Sequence, residues 1–137
     1  MYTYRVTLDR VVDGDTADVN IDLGFDCWLR KQRVRFDGID TPEIRTTDAL
    51  EKAAGQLAAA RVEELLRNAK EIQLTCTSYN KSTFNRIVGK LWVDGVSVNN
   101  ILLAEKLAVE WNAPFRKEDI ADAHAANWQY LRENKLI

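Results

Sequence analysis

Two short segments of the chain bring carboxylates and arginines close together. The first is VDGDT at residues 12–16, and the second is RVRFDGIDTPE at residues 33–43. Carboxylates at strand ends suit a hard divalent cation, because calcium takes roughly six to eight oxygen ligands. Arginines beside them suit a phosphodiester, since a guanidinium offers paired N–H donors that match phosphate oxygens. A further carboxylate outside the metal shell would orient or deprotonate an attacking water.

Each of these segments also has an ordinary structural explanation. Asp and Gly favour turns for backbone reasons, so Asp13-Gly14-Asp15 is typical of a surface turn. The sequence at residues 40–43 is typical of a strand exit followed by a helix cap, and a row of arginines on a strand is usually a solvated face. It is the order and spacing of the segments together that favour a functional site.

Alternating apolar and polar residues in the first third indicate half-buried strands, and later segments show helical spacing. We expect strands over residues 2–9, 16–23 and 27–39, a fourth strand that begins at 72–76, a fifth through 87–92, and helices over 49–69, 98–107 and 117–134. Asp48 with Glu51 three residues later predicts the start of the first helix. Five strands with one helix after the third predict an α+β fold, a five-stranded OB-type β-barrel with about three α-helices.

The length and composition predict one intracellular domain. With 137 residues the chain fits a single domain, residues 1–137, that can bury its own core. Its apolar runs are too short for a membrane span. The opening MYTYRVTLDR lacks the basic start and apolar core of a secretory signal. We therefore expect a cytoplasmic protein without a membrane association, and the alternative is a secreted mature form whose leader has been removed.

The charge balance narrows the function classes. Nineteen Lys and Arg against 21 Asp and Glu give a net charge of −2 and a pI near 5.5. This argues against a sequence-blind nucleic-acid coat protein, whose affinity comes from a basic surface. It permits an enzyme acting on phosphodiesters, which needs only a local cationic cleft.

Cysteine and histidine are too scarce for a disulfide framework or a Cys/His metal site. We expect Cys27 and Cys76 to be buried, reduced thiols. The single histidine, His124, is assigned to the surface or to helix packing. The expected inner side of the last helix consists of Ile120, Ala123, Asn127, Tyr130 and Leu131.

The combined motifs resemble the staphylococcal nuclease (thermonuclease) family over nearly the full chain. The matching segments are residues 12–16, then Arg35 through Glu43, then Asn85-Arg86. The helix at 51–69 and the turn at 94–99 also lie where the family has a helix and a hairpin turn. The resemblance implies the fold expected above and the activity of a nuclease.

The resemblance also implies a calcium site. Asp15 and Asp40 match the two calcium-ligating carboxylates of the family, and Thr41 matches the residue that supplies a backbone carbonyl. Asp13 matches an acidic neighbour just outside the metal shell. Two direct carboxylates make a thin ligand set, so we predict a dissociation constant of about 10⁻⁴ to 10⁻³ M without substrate.

The reaction implied by the resemblance is calcium-dependent hydrolysis of DNA and RNA with little sequence preference. Arg35 and Arg86 match the phosphate-binding arginines, and Glu43 matches the carboxylate usually described as the general base. The family acts as an endo- and exonuclease, prefers single strands and leaves 3′-phosphate products. We expect a monomer.

Three further positions are candidates for substrate binding. Before Arg86 the family often has a Lys-Tyr pair, whereas this chain reads Thr83-Phe84. Lys81, or alternatively Tyr79, is a candidate substitute in the same loop, and Phe84 is a candidate for stacking on a base. Trp111 lies near the position of another tyrosine of the family's cleft, and Asn112 is the alternative for that contact. Ordinary packing is the alternative for Phe84 and Trp111.

Two other classes of function remain open at this point. One is a catalytically inactive OB-fold module that binds single-stranded nucleic acid or a protein partner. The other is a calcium-binding domain without a nucleic-acid role, which would leave Arg35 and Arg86 without a function.

Overall fold

The structure is a computed structural model that describes residues 2–80, 86–112 and 117–137, without the side chains at 79, 80, 86 and 117. The elements in this part of the chain are β1 (Thr3–Asp13), β2 (Thr16–Asp22), β3 (Trp28–Phe36), β4 (Ile39–Asp40), α1 (Ala49–Asn68), β5 (Ile72–Asn80), β6 (Arg86–Val93), β7 (Val96–Ser97), α2 (Val98–Ala104), β8 (Val109–Glu110), a 3-10 turn (Lys117–Asp119) and α3 (Ala121–Glu133).

Five of the strands close into a barrel. Strand β1 pairs antiparallel with β2 and β5, β2 pairs with β3, and β5 pairs with β6. A parallel pairing of β3 with β6 completes the ring. This confirms the expected OB-type α+β fold. The alternation in β2 explains its place in the sheet, because Ala17, Val19 and Ile21 are buried while their neighbours are partly exposed.

Helix α1 lies against the barrel with its small and branched residues inward. Asp48 caps it by accepting hydrogen bonds from the amides of Leu50 and Glu51. The buried face consists of Ala54, Gly55, Ala58, Val62 and Leu66. The start of the helix that the sequence predicted from Asp48 and Glu51 is therefore confirmed.

One short strand pair was not expected from the sequence. Strand β8 pairs antiparallel with β4, so that Ile39 lies opposite Glu110 and Asp40 lies opposite Val109. Each of these strands has two residues, which is too short to show alternation. The pairing fixes the backbone at Asp40, immediately before Thr41-Pro42.

The last helix begins later than predicted and presents a different face. Helix α3 starts at Ala121 instead of residue 117, because Ile120 has a non-helical backbone conformation (φ −109°, ψ 2°). Ile120, His124 and Leu131 are buried, and this spacing of four and seven residues defines one side of a helix. The expected inward positions of Ala123 and Tyr130 are wrong, since both residues are exposed.

The two cysteines do not have the same environment. Cys27 is exposed and Cys76 is partly buried, and both are free thiols. The expectation of two buried thiols is therefore wrong for Cys27. This residue follows a sharp turn in which Gly24, Phe25 and Asp26 all have positive φ, so the chain at that point is outside the barrel core.

None of the described helices combines the length and apolar character needed to cross a membrane.

Candidate active site

The two motif segments meet in a cleft of about 270 Å³ at one end of the barrel strands. The residues that line it are Asp13, Asp15, Thr16, Arg33, Arg35, Asp40, Glu43 and Trp111. Strand pairing explains the meeting, because Thr16 lies directly opposite Arg35 in the β2–β3 register. The turn before β2 thus places Asp15 beside the end of β3.

Arg35 is shared between the two carboxylates expected to bind metal. Its Nη2 lies 3.4 Å from Asp15 Oδ2 and 3.4 Å from Asp40 Oδ1. Its Nη1 donates to the backbone oxygen of Phe36 at 2.9 Å. The side chain is 20% exposed, so the guanidinium is fixed on one side by backbone and reaches the cleft with the other.

Asp15 is buried and ties the two motif segments together. Its Oδ1 accepts a hydrogen bond from the Thr16 hydroxyl at 3.0 Å, and its Oδ2 accepts one from the amide of Thr41 at 3.1 Å. The backbone oxygen of Asp15 also accepts from the amide of Phe36 at 2.8 Å. The position of this carboxylate is therefore fixed by backbone groups of β3 and of the segment after β4.

Glycine is required where α1 approaches the motif segments. A Cβ on Gly14 would lie 2.8 Å from the Cβ of Ala58 and 3.0 Å from the side chain of Thr41. A Cβ on Gly55 would lie 2.8 Å from the backbone oxygens of both Pro42 and Glu43. Real Cβ contacts of this length are essentially absent from proteins, so both glycines allow the helix to support the site at close range.

Asp40 has a partner that the sequence did not reveal. Its Oδ2 lies 2.9 Å from Nε2 of His124, and both residues are buried. The sequence placed His124 at the surface or in helix packing, and it does lie in the packed face of α3. The contact with Asp40 was missed, because the spacing of Ile120, His124 and Leu131 permits an inward position for His124 but does not identify its partner, which lies 84 residues away.

Glu43 and Trp111 complete the cleft. Glu43 is exposed, so its carboxylate can reach a substrate or a water molecule. The guanidinium carbon of Arg35 lies 5.5 Å from the centroid of the Trp111 ring, which is a cation–π distance. The amide of Trp111 donates to the backbone oxygen of Gly38 at 2.9 Å. Trp111 thus packs beside Arg35 at the edge of the cleft.

Asp13 lines the cleft within reach of the charges of Asp15 and Glu43. Burial raises the pKa of its carboxyl above the ordinary value, and the charges of Asp15 and Glu43 raise it further. Arg33 lines the same cleft but pairs with Asp18, from Arg33 Nε to Asp18 Oδ1 at 2.9 Å. The cation nearest to the paired aspartates among the described side chains is therefore Arg35.

The side chains of three further candidate residues, Arg86, Lys81 and Phe84, lie outside the part of the chain that the structure describes. Arg86 starts strand β6 with its backbone paired to Asn80, while its side chain lies outside the described residues. Lys81 and Phe84 also lie outside the described residues.

The donor set fits a hard, oxygen-seeking cation. Asp15 and Asp40 are buried carboxylates that both approach one nitrogen atom of Arg35, so their oxygens face a common space. In the described part of the chain, no cluster of three or more His, Cys, Asp or Glu side chains is arranged to hold a metal. Two carboxylates with backbone and water oxygens are compatible with an open calcium site.

A closed barrel with this carboxylate–arginine cleft defines an SNase-like protein of the OB-fold class. Residues 33–133 match the family described as staphylococcal nuclease homologue, and the chain belongs to this family. The chain is 36% identical over 105 residues to Endonuclease YncB of Bacillus subtilis (strain 168), covering 76% of this chain and 46% of that protein.

A second relative gives the same level of similarity. The SPbeta prophage-derived endonuclease YokF of Bacillus subtilis (strain 168) is 36% identical over 104 residues, which is 75% of this chain and 33% of that protein. The chain thus spans between a third and a half of the length of these curated relatives. Both relatives are named as endonucleases.

Proposed function

We propose that this chain is a calcium-dependent nuclease that hydrolyses phosphodiester bonds of DNA and RNA with little sequence preference. The observation that carries the proposal is the position of Arg35 Nη2, 3.4 Å from both Asp15 and Asp40, in a cleft that Glu43 also lines. Membership of the nuclease family and the names of the two relatives support the same reaction class.

The charge of the cleft supports the need for a metal ion. The described residues lining it include four carboxylates and two guanidinium groups, and one of the latter is paired with Asp18. A phosphodiester is an anion, so it would be repelled from this surface without an added cation. Bound calcium would supply positive charge where negative charge gathers on the phosphate during the reaction.

The proposed metal ligands are the residues that match the calcium ligands of the family. Asp15 and Asp40 would hold calcium through their carboxylates, and Thr41 would add its backbone carbonyl. The amide of Thr41 already bonds to Asp15 at 3.1 Å, so these residues are positioned relative to each other before the metal binds. Asp13 would remain outside the direct ligand set.

Two arginines would bind the phosphate. Arg35 is held in place through its bond to the Phe36 oxygen, which leaves Nη2 directed to the cleft. Arg86 is the second proposed phosphate ligand, at the start of β6 next to β3. Removing one such donor typically lowers the rate by about 10²–10³-fold.

Glu43 would act on the attacking water. Its exposed carboxylate lines the cleft and can accept a proton from a water molecule beside the phosphate. Attack by water on phosphorus and departure of the 5′ oxygen, which takes up a proton, would leave a 3′-phosphate and a 5′-hydroxyl.

The size of the cleft bears on the kind of substrate. A cleft of about 270 Å³ favours an unpaired strand, because the bulk of a duplex would hinder access. We propose Trp111, beside Arg35, as a contact for the substrate at the edge of this cleft.

Cleavage of end-labelled single-stranded DNA and RNA, in calcium and in chelator, tests the proposal. We expect cutting only in calcium, and rates lowered by at least about 10²-fold in Glu43→Gln and in Arg86→Ala. Arg67→Ala is the matched control, because Arg67 is exposed on α1 and pairs with Glu63, and its rate should equal that of the wild type. Binding without cleavage by the folded wild type in calcium would refute the nuclease and favour an inactive binding module.

A further inference from the structure

We propose that His124 is a positioning residue for the metal site, acting through Asp40. The inference rests on the proposed calcium site and adds a residue from α3, which lies outside the sequence motifs. His124 would hold one oxygen of the Asp40 carboxylate so that the other oxygen faces the cleft. Helix α3 would thereby set the orientation of a metal ligand on β4.

The geometry of the Asp40 carboxylate carries the inference. Its Oδ2 is 2.9 Å from Nε2 of His124, and its Oδ1 is 3.4 Å from Nη2 of Arg35. The two oxygens therefore have different partners on opposite sides of the carboxylate. Asp40 is 6% exposed and His124 is 8% exposed, so water competes little for the bond between them. A carboxylate held in this way is restricted in rotation before any metal arrives.

The hydrogen-bonding capacity of the two groups fixes which atom donates. An ionised carboxylate only accepts hydrogen bonds, so the proton of this bond is on Nε2 of His124. The other ring nitrogen, Nδ1, is buried and has no hydrogen-bond partner in the part of the chain that the structure describes. A proton on Nε2 provides this hydrogen bond, and an Nδ1 without a proton leaves no buried donor unsatisfied.

The imidazole itself is held by its neighbour on α3. Its ring is stacked on Trp128, with the centroids 5.7 Å apart and the planes at 27°. Packing on one face and a hydrogen bond at Nε2 leave the ring one orientation. Residues that hydrogen-bond to a metal ligand commonly change metal affinity by about 10–100-fold when they are replaced.

A purely structural role is the alternative, in which the bond only attaches α3 to the barrel. The two roles differ in what they change. Loss of attachment lowers the stability of the fold, whereas loss of positioning weakens metal binding in a protein that remains folded. A variant that restores the N–H donor should restore metal affinity only if the hydrogen bond is the cause.

The test is a metal titration without nucleic acid. Terbium, a calcium substitute, is titrated into the protein and detected through emission sensitised by Trp111 in the cleft, and calcium is then used to displace it. We expect His124→Leu to raise the calcium dissociation constant by about 10–100-fold. His124→Gln keeps an amide donor near the position of Nε2 and should return the constant close to that of the wild type.

Two further variants separate positioning from folding. His124→Asn carries a shorter amide that does not reach Asp40, so it should bind calcium as weakly as His124→Leu does. It also provides the measurement if the Leu variant does not fold. Ile120→Val trims a buried residue one turn earlier on the same face. It should lower stability while leaving the calcium dissociation constant unchanged.

The outcomes distinguish this inference from the proposed function. A wild-type protein that binds neither terbium nor calcium in the cleft overturns the proposed calcium site. Binding by the wild type with the same affinity in a folded His124→Leu or His124→Asn variant overturns the role of His124 alone. A Gln variant that binds as weakly as the Leu variant also overturns it, because the hydrogen bond would then not be the cause.

Discussion

Gly55→Ala is expected to lower activity although this residue does not line the cleft. In a helix, alanine is normally more favourable than glycine by about 1 kcal/mol. Here a Cβ would lie 2.8 Å from the backbone oxygens of Pro42 and Glu43. The new methyl group therefore pushes on the backbone that carries the proposed general base.

The size of the effect follows from that contact. Ordinary contacts of a Cβ begin near 3.4 Å, so the segment or the helix must move by about 0.6 Å. Overpacking of this kind costs about 1–3 kcal/mol, against the gain of about 1 kcal/mol from helix propensity. We expect a net loss of about 0–2 kcal/mol in the free energy of unfolding. Since a displacement of 1 Å can cost about 10²-fold in rate, a movement of Glu43 of this size should lower kcat roughly tenfold.

Urea denaturation and steady-state cleavage kinetics provide the assay. Gln56→Ala and Gln56→Gly are the controls, because Gln56 is exposed on the same helix. Their difference measures the preference for alanine over glycine without a contact at the site, and both should keep wild-type kcat. The reasoning is refuted if Gly55→Ala is stabilised by the full difference seen at Gln56 and its kcat is unchanged.

Three further predictions concern the cleft and the thiols. The fold raises the pKa of the Asp13 carboxyl, so the folded state binds this proton more tightly than the unfolded state does. The free energy of unfolding therefore falls as the pH rises from the ordinary aspartate pKa through the raised one. Asp13→Asn should stabilise the metal-free protein at neutral pH, and this gain should vanish at low pH. Urea denaturation in chelator measures the gain, and a gain that grows on acidification would contradict the prediction. Thr41→Val should leave the calcium affinity unchanged. It should leave the free energy of unfolding unchanged or raise it by about 1 kcal/mol, because the buried Oγ1 of Thr41 has no partner among the described residues. A clear loss of stability in calorimetry would count against this prediction. Cys27 should react with an alkylating reagent before Cys76, because Cys27 is exposed and burial raises the pKa of the Cys76 thiol; equal rates by mass spectrometry would refute this.

The sequence predicted the barrel because the strands that form it alternate clearly. Residues 17–23 show the alternation that buries Ala17, Val19 and Ile21, and the strand pairs of β2 with β3 follow from it. Both motif segments lie at the ends of these strands, so their meeting at Arg35 could be expected. Two-residue elements such as β4 and β8 carry no periodicity and could not be predicted in this way.

The contact of His124 with Asp40 lay beyond local sequence patterns. The two residues are 84 positions apart, so their contact depends on how α3 docks on the barrel. Helix α3 has few large apolar residues. Rotating the helix by one residue position would replace Ala123 with His124 on the buried face. Sequence periodicity could not choose between these two rotations, because Ile120 and Leu131 are compatible with both.

In the proposed site, the position of Arg35 predicts that metal and substrate binding are linked. Its Nη2 is shared between Asp15 and Asp40, so a phosphate bound by Arg35 would compete with two carboxylates for this donor. A cation held by those carboxylates would reduce their hold on Arg35 and leave it available to the phosphate. Because such coupling is reciprocal, calcium should tighten binding of a noncleavable oligonucleotide by the same factor by which the oligonucleotide tightens binding of calcium. Equal oligonucleotide affinity in calcium and in chelator, measured by fluorescence anisotropy, would contradict this. A weak calcium affinity in the free protein is therefore consistent with full occupancy of the site during the reaction.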